Sequence, residues 1–330
     1  MSEIRYNRLY DEYVISAPER MHRPDKTRSM GATGSDLASC PFCEGNETMT
    51  PPEIYAFRAT PRDSVGWSIR VIPNLYKAVE IEAPHHFSGG TFSRWEGFGA
   101  HEIIIDTSRH TVSMVQWSQT EATLWLKTLQ HRFVDLTRDV RLAYISLFKN
   151  EGAGSGATQS HSHTQLIALP IVPKEEQDRF RCEREHFLSS GEKLCERIAA
   201  DEEKEKVRLL FRIGKTSVFC PYGSTHPFEI MIVRRGETFG KLDDKALHEY
   251  AKAVLKAVEA LKARAGIDDF NVVFMTPNLR PEEGDGESGW GIRILPRLYR
   301  YGGFETGTKM LINPMRPERA AKILRGENDE

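Results

Sequence analysis

The chain has 330 residues, 39% hydrophobic and 28% charged, a composition typical of globular proteins that excludes disordered and fibrous classes. Its formal net charge of −2 at pH 7 provides no basic field for a nucleic-acid partner. We find no apolar stretch long enough to span a bilayer and no signal peptide at the N-terminus. The five cysteines do not form the pattern of a disulfide framework. We therefore expect a cytoplasmic protein without a membrane or nucleic-acid partner.

The first half of the chain predicts alternating strands and one long helix. Strands are expected at 67–72, 101–106 and 142–148, where apolar and β-branched residues cluster. Between the last two strands, residues 119–139 keep apolar side chains at helical spacing, and Ser118 is the expected N-cap.

Residues 150–170 (NEGAGSGATQSHSHTQLIALP) are the most informative stretch. His161, His163 and Gln165 alternate at the start of an apolar run, so on a β-strand their side chains project from one face. A glycine-rich loop precedes them, and its backbone N–H groups could approach a phosphate that a Cβ atom would hold away. Two imidazoles and an amide beside such a loop indicate chemistry on a nucleotide phosphate. Packed or solvated strand histidines are the alternative interpretation.

The second half repeats the order of the first. Strands are expected at 227–233, 270–275 and 290–295, with a helix at 243–265. Aligning Pro296 with Pro170 sets Gly291 opposite Gln165, Gly289 opposite His163 and Glu287 opposite His161. The chain is therefore predicted to hold two copies of one unit, a helix on an antiparallel sheet, with catalytic groups only in the first. The charged stretch 174–208 between them is expected to be helical and largely solvated.

Four residues of the first half could form a metal site. Cys40 and Cys43 have the spacing of a zinc knuckle, and His110 and His161 could complete a tetrahedral site. A Cys2His2 site leaves no open position, so a zinc ion bound there would be structural. A redox dithiol or two unrelated free thiols are the alternatives.

Several stretches, in order and over nearly the whole length, resemble the galactose-1-phosphate uridylyltransferase family of the histidine-triad superfamily. They are APERMHRP at 17–24, CPFCEGN at 40–46, RVIPNLY at 70–76, HEIIIDTSRH at 101–110, the block at 150–165 and GGFETGT at 302–308. The resemblance implies an α+β fold of two tandem histidine-triad-like units, each an antiparallel sheet with packed helices. A catalytic domain with the zinc site is expected at 1–173, a charged helical connection at 174–208 and a degenerate domain at 209–330. A homodimer is implied as well.

The same resemblance implies a ping-pong transfer of a nucleoside monophosphate. His163 would attack the α-phosphorus of a nucleotide donor, and a phosphate-bearing acceptor would then take the nucleotidyl group from the histidine. Gln165 would hydrogen-bond the transferred phosphoryl group. The implied substrate-binding residues are Arg20, Arg23, Asn74, Asn150, Gly154, Ser155, Gly156, Thr158 and Glu305. The implied zinc ligands are the four residues of the candidate metal site.

The substrate is less strictly implied than the mechanism. The family default is uridylyl transfer between UDP-glucose and a hexose 1-phosphate, a step of galactose metabolism. Ser162 stands between the histidines where many galactose-using members have proline, and the C-terminal motif is similar to that of adenylylsulfate phosphorylases. Adenylyl transfer between adenylyl sulfate and phosphate is therefore the alternative reaction. A non-catalytic nucleotide-binding module is the alternative of a different class.

Overall fold

The computed structural model describes residues 2–22, 39–110, 112–281 and 288–327. They form the expected α+β fold, a large antiparallel sheet with packed helices. The strands are β1 (Glu3–Asn7), β2 (Glu12–Ser16), β3 (Tyr55–Arg58), β4 (Trp67–Pro73), β5 (Phe87–Ser88), β6 (Arg94–Trp95), β7 (Ala100–Ile105), β8 (Tyr144–Glu151), β9 (His163–Leu169), β10 (Leu209–Ile213), β11 (Thr216–Phe219), β12 (Ile230–Arg234), β13 (Phe270–Met275), β14 (Gly291–Pro296) and β15 (Ile312–Asn313). The helices are α1 (Gln119–Leu136), α2 (Lys174–Ser190), α3 (Leu194–Glu205), α4 (Asp244–Ala265), α5 (Gly303–Thr308) and α6 (Pro317–Arg325). None of these helices is both long and apolar enough to cross a membrane.

The central sheet has ten antiparallel strands in the order β10-β11-β12-β14-β13-β8-β9-β7-β4-β3. Strands β8 and β13 form the central pair. Outward from them the two halves follow corresponding orders, β8-β9-β7-β4-β3 on one side and β13-β14-β12-β11-β10 on the other. In the centre Phe148 pairs with Val273 and Glu151 pairs with Phe270, so one ladder joins the halves. Strands β1, β2 and β15 form a separate sheet, and β5 pairs with β6.

The two long helices begin where the sequence places caps. The Ser118 hydroxyl accepts from the backbone N–H of Glu121, whose carboxylate accepts from the backbone N–H of Ser118, and this closes a capping box on α1. The Asp243 carboxylate caps α4 by accepting from the backbone N–H of Ala246. Both starts agree with the prediction, whereas α1 ends at Leu136 rather than at residue 139.

Helices α1 and α4 pack against each other on one face of the sheet and cover a core that both halves share. Trp125 of α1 and Phe274 of β13 lie there with their ring centroids 5.8 Å apart. On the opposite face, α2 and α3 cover the strands of the second half, with Cys195 and Ala199 packed among residues of β11 and β12. The segment 174–208 forms the predicted helices, and most residues of α2 and α3 are not buried, although one side of each helix packs against the sheet.

Candidate active site

Strand β9 positions two of the three alternating polar residues. It begins at His163, and Leu166 and Ala168 face the helix-covered core, so His163 and Gln165 lie on the opposite face. The prediction of one strand carrying all three residues is wrong for His161, which precedes β9.

The His163 imidazole is held in one tautomer by its own chain. Its Nδ1 lies 2.9 Å from the carbonyl oxygen of His161, so Nδ1 carries the proton and donates to that carbonyl. Nε2 is then the nitrogen with a free lone pair. Burial lowers the pKa of His163, and Lys149 lowers it further, which keeps the imidazole neutral near pH 7. A neutral imidazole with a free Nε2 is suited to nucleophilic attack.

His163 and Gln165 line a cavity of about 300 Å³. Asn74 and Thr158, two of the predicted substrate-binding residues, line the same cavity. Its remaining wall is formed by Pro41, Phe42, Met49, Thr50, Pro51, Ile72, Leu75, Tyr76, Ile103 and Gln159. A mostly apolar wall with a few convergent polar groups is typical of a small-molecule site. The structure thus brings four of the predicted residues to one cavity.

The polar groups of the glycine loop form hydrogen bonds within the protein. The Gly154 N–H donates to Asp269 Oδ1 at 2.9 Å, and Ser155 Oγ donates to the Gly152 carbonyl at 2.7 Å. Gly152 has φ +80°, and a Cβ there would lie 2.2 Å from Asp269 Oδ1. The Gly156 N–H donates to a carbonyl of the same turn. The glycines therefore shape the loop around Asp269, and the structure does not direct the N–H groups of 154–156 into the cavity.

A second contact from the same region fixes Asn150. Asn271 Nδ2 donates to Asn150 Oδ1 at 2.8 Å and to the Ser155 carbonyl at 3.0 Å. Both Asn271 and Asp269 belong to the second half, more than a hundred residues away in sequence, so sequence reasoning missed them. No local signal could have found them.

Two further residues predicted to bind substrate, Arg20 and Glu305, do not line this cavity. Arg20 and Glu305 line a different depression, together with His226 and Tyr301. Arg23 lies outside the described residues.

The four predicted metal ligands are brought together. The ligand atoms of Cys40, Cys43, His110 and His161 all lie within 4.8 Å of one another. His161 Nδ1 lies 3.7 Å from Cys40 Sγ and 3.6 Å from Cys43 Sγ. Tetrahedral zinc with typical bond lengths separates sulfur and nitrogen ligands by roughly 3.5 Å, so the group fits a metal ion.

The surroundings of His161 also favour metal binding. Its Nε2 lies 2.8 Å from the Thr107 carbonyl oxygen, so Nε2 donates and Nδ1 is left free to act as a ligand. Burial lowers the pKa of His161 to about 4, which keeps the ring in the neutral, ligating form. All five cysteines of the chain are free and buried.

A buried charged network lies behind β9, and the sequence analysis missed it. Lys149 Nζ lies 3.0 Å from Asp106 Oδ2 and 3.2 Å from Glu151 Oε2, and it donates to Ser162 Oγ at 2.8 Å. Asp106 also accepts from the Thr164 hydroxyl at 2.8 Å. Charged residues at the ends of apolar strands were the signal that could have indicated the network.

His101 is a further residue that the sequence analysis did not assign. It lies in β7, on the strand next to β9, and its Nε2 lies 3.2 Å from Gln165 Oε1. Its Nδ1 accepts from the backbone N–H of Ala78 at 3.1 Å, and Asn74 Nδ2 lies 3.0 Å from Nε2. Ile103 pairs with Gln165 across the ladder, so His101 is the diagonal neighbour of Gln165.

Comparison with known proteins gives consistent relatives over the whole chain. Residues 1–173 match the model of the galactose-1-phosphate uridyl transferase N-terminal domain. An ADP-glucose phosphorylase from Arabidopsis thaliana is 30% identical over 98% of this chain and 92% of its own. A galactose-1-phosphate uridylyltransferase from Thermotoga maritima is 26% identical over 98% of both chains.

Solved structures include an ADP-glucose phosphorylase from Arabidopsis thaliana with bound ADP-glucose. It superposes with a TM-score of 0.83 and 26% identity over 100% of both chains. Together with the family match over more than half of the sequence, these similarities establish the relationship. The chain belongs to the galactose-1-phosphate uridylyltransferase family and is a nucleotidyltransferase.

Proposed function

We propose that this nucleotidyltransferase transfers an adenylyl group from an ADP-sugar to inorganic phosphate through a covalent nucleotidyl-His163 intermediate. The observation that carries the covalent step is the tautomer of His163, whose Nδ1–H is engaged with the His161 carbonyl at 2.9 Å. This leaves Nε2 with its lone pair, on a side chain that lines a cavity with Gln165 and Asn74.

The first half-reaction forms a nitrogen–phosphorus bond. The Nε2 lone pair attacks the α-phosphorus of the donor, and the bond from that phosphorus to the bridging oxygen breaks with departure of a sugar 1-phosphate. The positive charge that develops on the ring is stabilised by the Nδ1–H donated to the His161 carbonyl. No proton has to be transferred, because the leaving phosphate is already an anion.

The second half-reaction reverses these roles. An oxygen of inorganic phosphate attacks the adenylyl phosphorus, the nitrogen–phosphorus bond breaks, and ADP leaves with His163 restored to its neutral form. Gln165 holds the phosphoryl oxygens in both steps through its amide, because phosphoryl transfer depends mainly on positioning and charge stabilisation.

The choice of adenylyl transfer rests on two observations. The Arabidopsis ADP-glucose phosphorylase is 30% identical to this chain, against 26% for the Thermotoga uridylyltransferase. Ser162 occupies the position between the histidines, where its hydroxyl accepts from buried Lys149 at 2.8 Å. Proline has no hydroxyl and could not take part in this contact.

Uridylyl transfer from UDP-glucose to a hexose 1-phosphate is the second candidate, supported by the family match. Adenylyl sulfate is the further donor that the C-terminal motif predicts.

The experiment is to incubate the protein with ADP-glucose, UDP-glucose or adenylyl sulfate, each labelled at the α-phosphorus, and to quench within one turnover. We expect acid-labile label on the protein from ADP-glucose, and its release as labelled ADP when phosphate is added. Label retained on a His163→Asn variant, or no label from any donor, would contradict the covalent mechanism. Label from UDP-glucose alone would contradict the adenylyl assignment and leave the mechanism intact.

We further propose that Cys40, Cys43, His110 and His161 bind structural zinc. Two thiolates and two imidazoles are a donor set that zinc prefers, and the four ligand atoms lie close enough together for tetrahedral coordination. The ion would fix the loop of Cys40 and Cys43 and the backbone of His161, whose carbonyl orients His163.

We expect about one zinc per chain by atomic emission, as for a Cys2His2 site. Cys43→Ser should lose the metal and unfold at lower temperature, because structural zinc contributes directly to folding. Cys182→Ser, which changes a buried thiol that is not part of the group, is the matched control and should retain the zinc. Equal metal content in wild type and Cys43→Ser would refute the site.

We infer that the second half is a duplicated unit that has lost its catalytic groups. The strand order supports this, because it corresponds between the two halves. Gly291 supports it as well, because it lies on the face of β14 that faces away from the core, as His163 and Gln165 do on β9. At Gly289 a Cβ would lie 2.0 Å from Cys195 Sγ of α3. The corresponding site is thus filled by protein.

We also propose a homodimer in which each chain completes its partner's site. Arg20 and Glu305 line a depression separate from the cavity of His163, so a second copy can bring both groups to one substrate. Leu75 and Tyr76 beside the cavity are 65% and 86% exposed, as expected of an uncovered interface. Mixing inactive His163→Asn and Glu305→Gln chains should then restore activity. A monomer by analytical ultracentrifugation would contradict the proposal.

A further inference from the structure

His101 lies next to two residues of the cavity, and its ring nitrogens have defined neighbours. The backbone N–H of Ala78 points at Nδ1 from 3.1 Å, and a backbone N–H can only donate. Nδ1 must therefore be the acceptor, and the single proton of the neutral ring lies on Nε2. This tautomer follows from the direction of a main-chain group, which has no alternative orientation.

In the part of the chain that the structure describes, one acceptor contacts the Nε2 atom. Gln165 Oε1 lies 3.2 Å away, so Nε2–H donates to the Gln165 carbonyl oxygen. An amide whose oxygen is held on one side presents its NH2 on the other. Among the described residues, no group accepts from Gln165 Nε2, and the side chain lines the cavity beside His163.

We propose that His101 is a positioning residue that locks the amide of Gln165 with its NH2 towards the transferred phosphoryl group. The inference rests on the proposed function, because it gives Gln165 the donor role in nucleotidyl transfer. Without His101 the amide could turn by half a rotation and present its oxygen to an anionic phosphoryl oxygen, which would repel it.

Asn74 joins the same arrangement from the adjacent strand end. Its Oδ1 accepts from the backbone N–H of Tyr76 at 2.8 Å, so its NH2 faces His101 Nε2 at 3.0 Å. With the Nε2 proton in place, this is a close contact between two donors and not a hydrogen bond. An acceptor oxygen of a bound nucleotide would relieve it by taking the Asn74 NH2. His101 therefore links the predicted nucleotide contact with the phosphoryl contact.

Two substitutions separate the functions of the two ring nitrogens. His101→Gln places an NH2 near the position of Nε2 and can still donate to Gln165. His101→Asn keeps an acceptor for the Ala78 N–H but is too short to reach Gln165. We expect His101→Asn to lower the rate of label transfer to His163 by about 10- to 100-fold, whereas His101→Gln retains most of it. The effect should lie in the rate at saturating donor more than in KM.

A double-mutant cycle distinguishes positioning from a general structural role. Gln165→Ala alone should lower the rate by about 10²- to 10³-fold, as for loss of one donor to a developing anion. Adding His101→Asn to Gln165→Ala should then cause no further loss, because the amide that His101 orients is gone. An equal loss from His101→Asn in both backgrounds would overturn the assignment.

The tautomer is tested independently of activity. In protein labelled with 15N-histidine, long-range 1H–15N spectra should show His101, identified by its absence in His101→Asn, with a proton on Nε2. A proton on Nδ1 would overturn the inference. If wild type transfers label and neither His101 variant changes the rate, the positioning role of His101 is overturned while the proposed function stands. No label in wild type from any donor would overturn both.

Discussion

Lys149 lies in β8, and its charged side chain is buried next to the residues that precede β9. Its side chain is 1% exposed, and two carboxylates, Asp106 and Glu151, lie within 3.2 Å of its Nζ. Burial opposes the charged form, but the two carboxylates raise the pKa of Lys149 above its ordinary value. The ammonium also donates to the Ser162 hydroxyl at 2.8 Å and to the His163 carbonyl at 3.4 Å, so it holds a side chain and a main-chain group beside the proposed nucleophile.

Removing this cation should be costly. Lys149→Met leaves Asp106 and Glu151 buried without a counter-charge, and we expect the free energy of unfolding to fall by about 3–5 kcal/mol. Guanidinium unfolding of wild type and variant measures the change. Lys252→Met, on an exposed position of α4, is the matched control and should stay within about 0.5 kcal/mol. A change in Lys149→Met no larger than in the control would show that the network contributes nothing to stability.

The residues around His163 show which parts of the site the sequence predicts and which parts it does not. Cys40, Cys43, His110 and His161 were predicted as one group and lie together, because ligand chemistry restricts which residue types can meet. His101 and Lys149 were missed, although His101 stands in the quoted motif HEIIIDTSRH at 101–110. Their roles depend on which strands become neighbours in the sheet, and the residue types alone do not determine that.

Among the elements, the starts of the two capped helices were predicted more accurately than the ends of α1 and β8. The start of α1 agrees because a capping box is encoded within four consecutive residues. Strand β8 was predicted to end at residue 148 but continues to Glu151, since Lys149 and Asn150 resemble a polar loop. Pairing with β13 extends the strand, and that partner lies more than a hundred residues away. The buried side of α2 and α3 was missed for the same reason.

Glu12 at the start of β2 gives the fold a pH dependence. Burial raises the pKa of Glu12 from 4.5 to about 7, although Arg293 opposes the shift and Asn7 Nδ2 donates to its Oε1 at 3.0 Å. A raised pKa means that the folded protein holds the proton more tightly than the unfolded chain. The stabilisation from this proton is therefore complete below pH 4.5 and is lost as the pH rises towards 7.

Glu12→Gln, which is neutral throughout, should consequently gain stability relative to wild type between these limits. We expect the difference in free energy of unfolding, variant minus wild type, to be larger at pH 8 than at pH 5. Urea unfolding at both values measures it, with the exposed Glu259→Gln as the control whose difference stays constant. A smaller difference at pH 8 than at pH 5 would mean that the direction of the shift is wrong.

At the scale of the whole molecule, the two halves depend on each other. The proposed catalytic residues His163 and Gln165 belong to the first half, but Asp269 and Asn271 of the second half hold the glycine loop and Asn150. The central ladder and the shared core under α1 and α4 tie the same parts together. The second half, for which we propose no catalytic groups, therefore supports the loop and strand end that lead to His163.

This dependence predicts one cooperative unfolding transition. If the halves were separate folding units, a core substitution in one would shift only part of the heat absorption. We expect instead that Leu126→Ala in α1 and Val254→Ala in α4, both fully buried in the shared core, each shift the entire transition to lower temperature. Scanning calorimetry should give equal calorimetric and van't Hoff enthalpies for wild type and both variants. Two resolved transitions, with each substitution moving only one, would show that the joined sheet does not couple the halves.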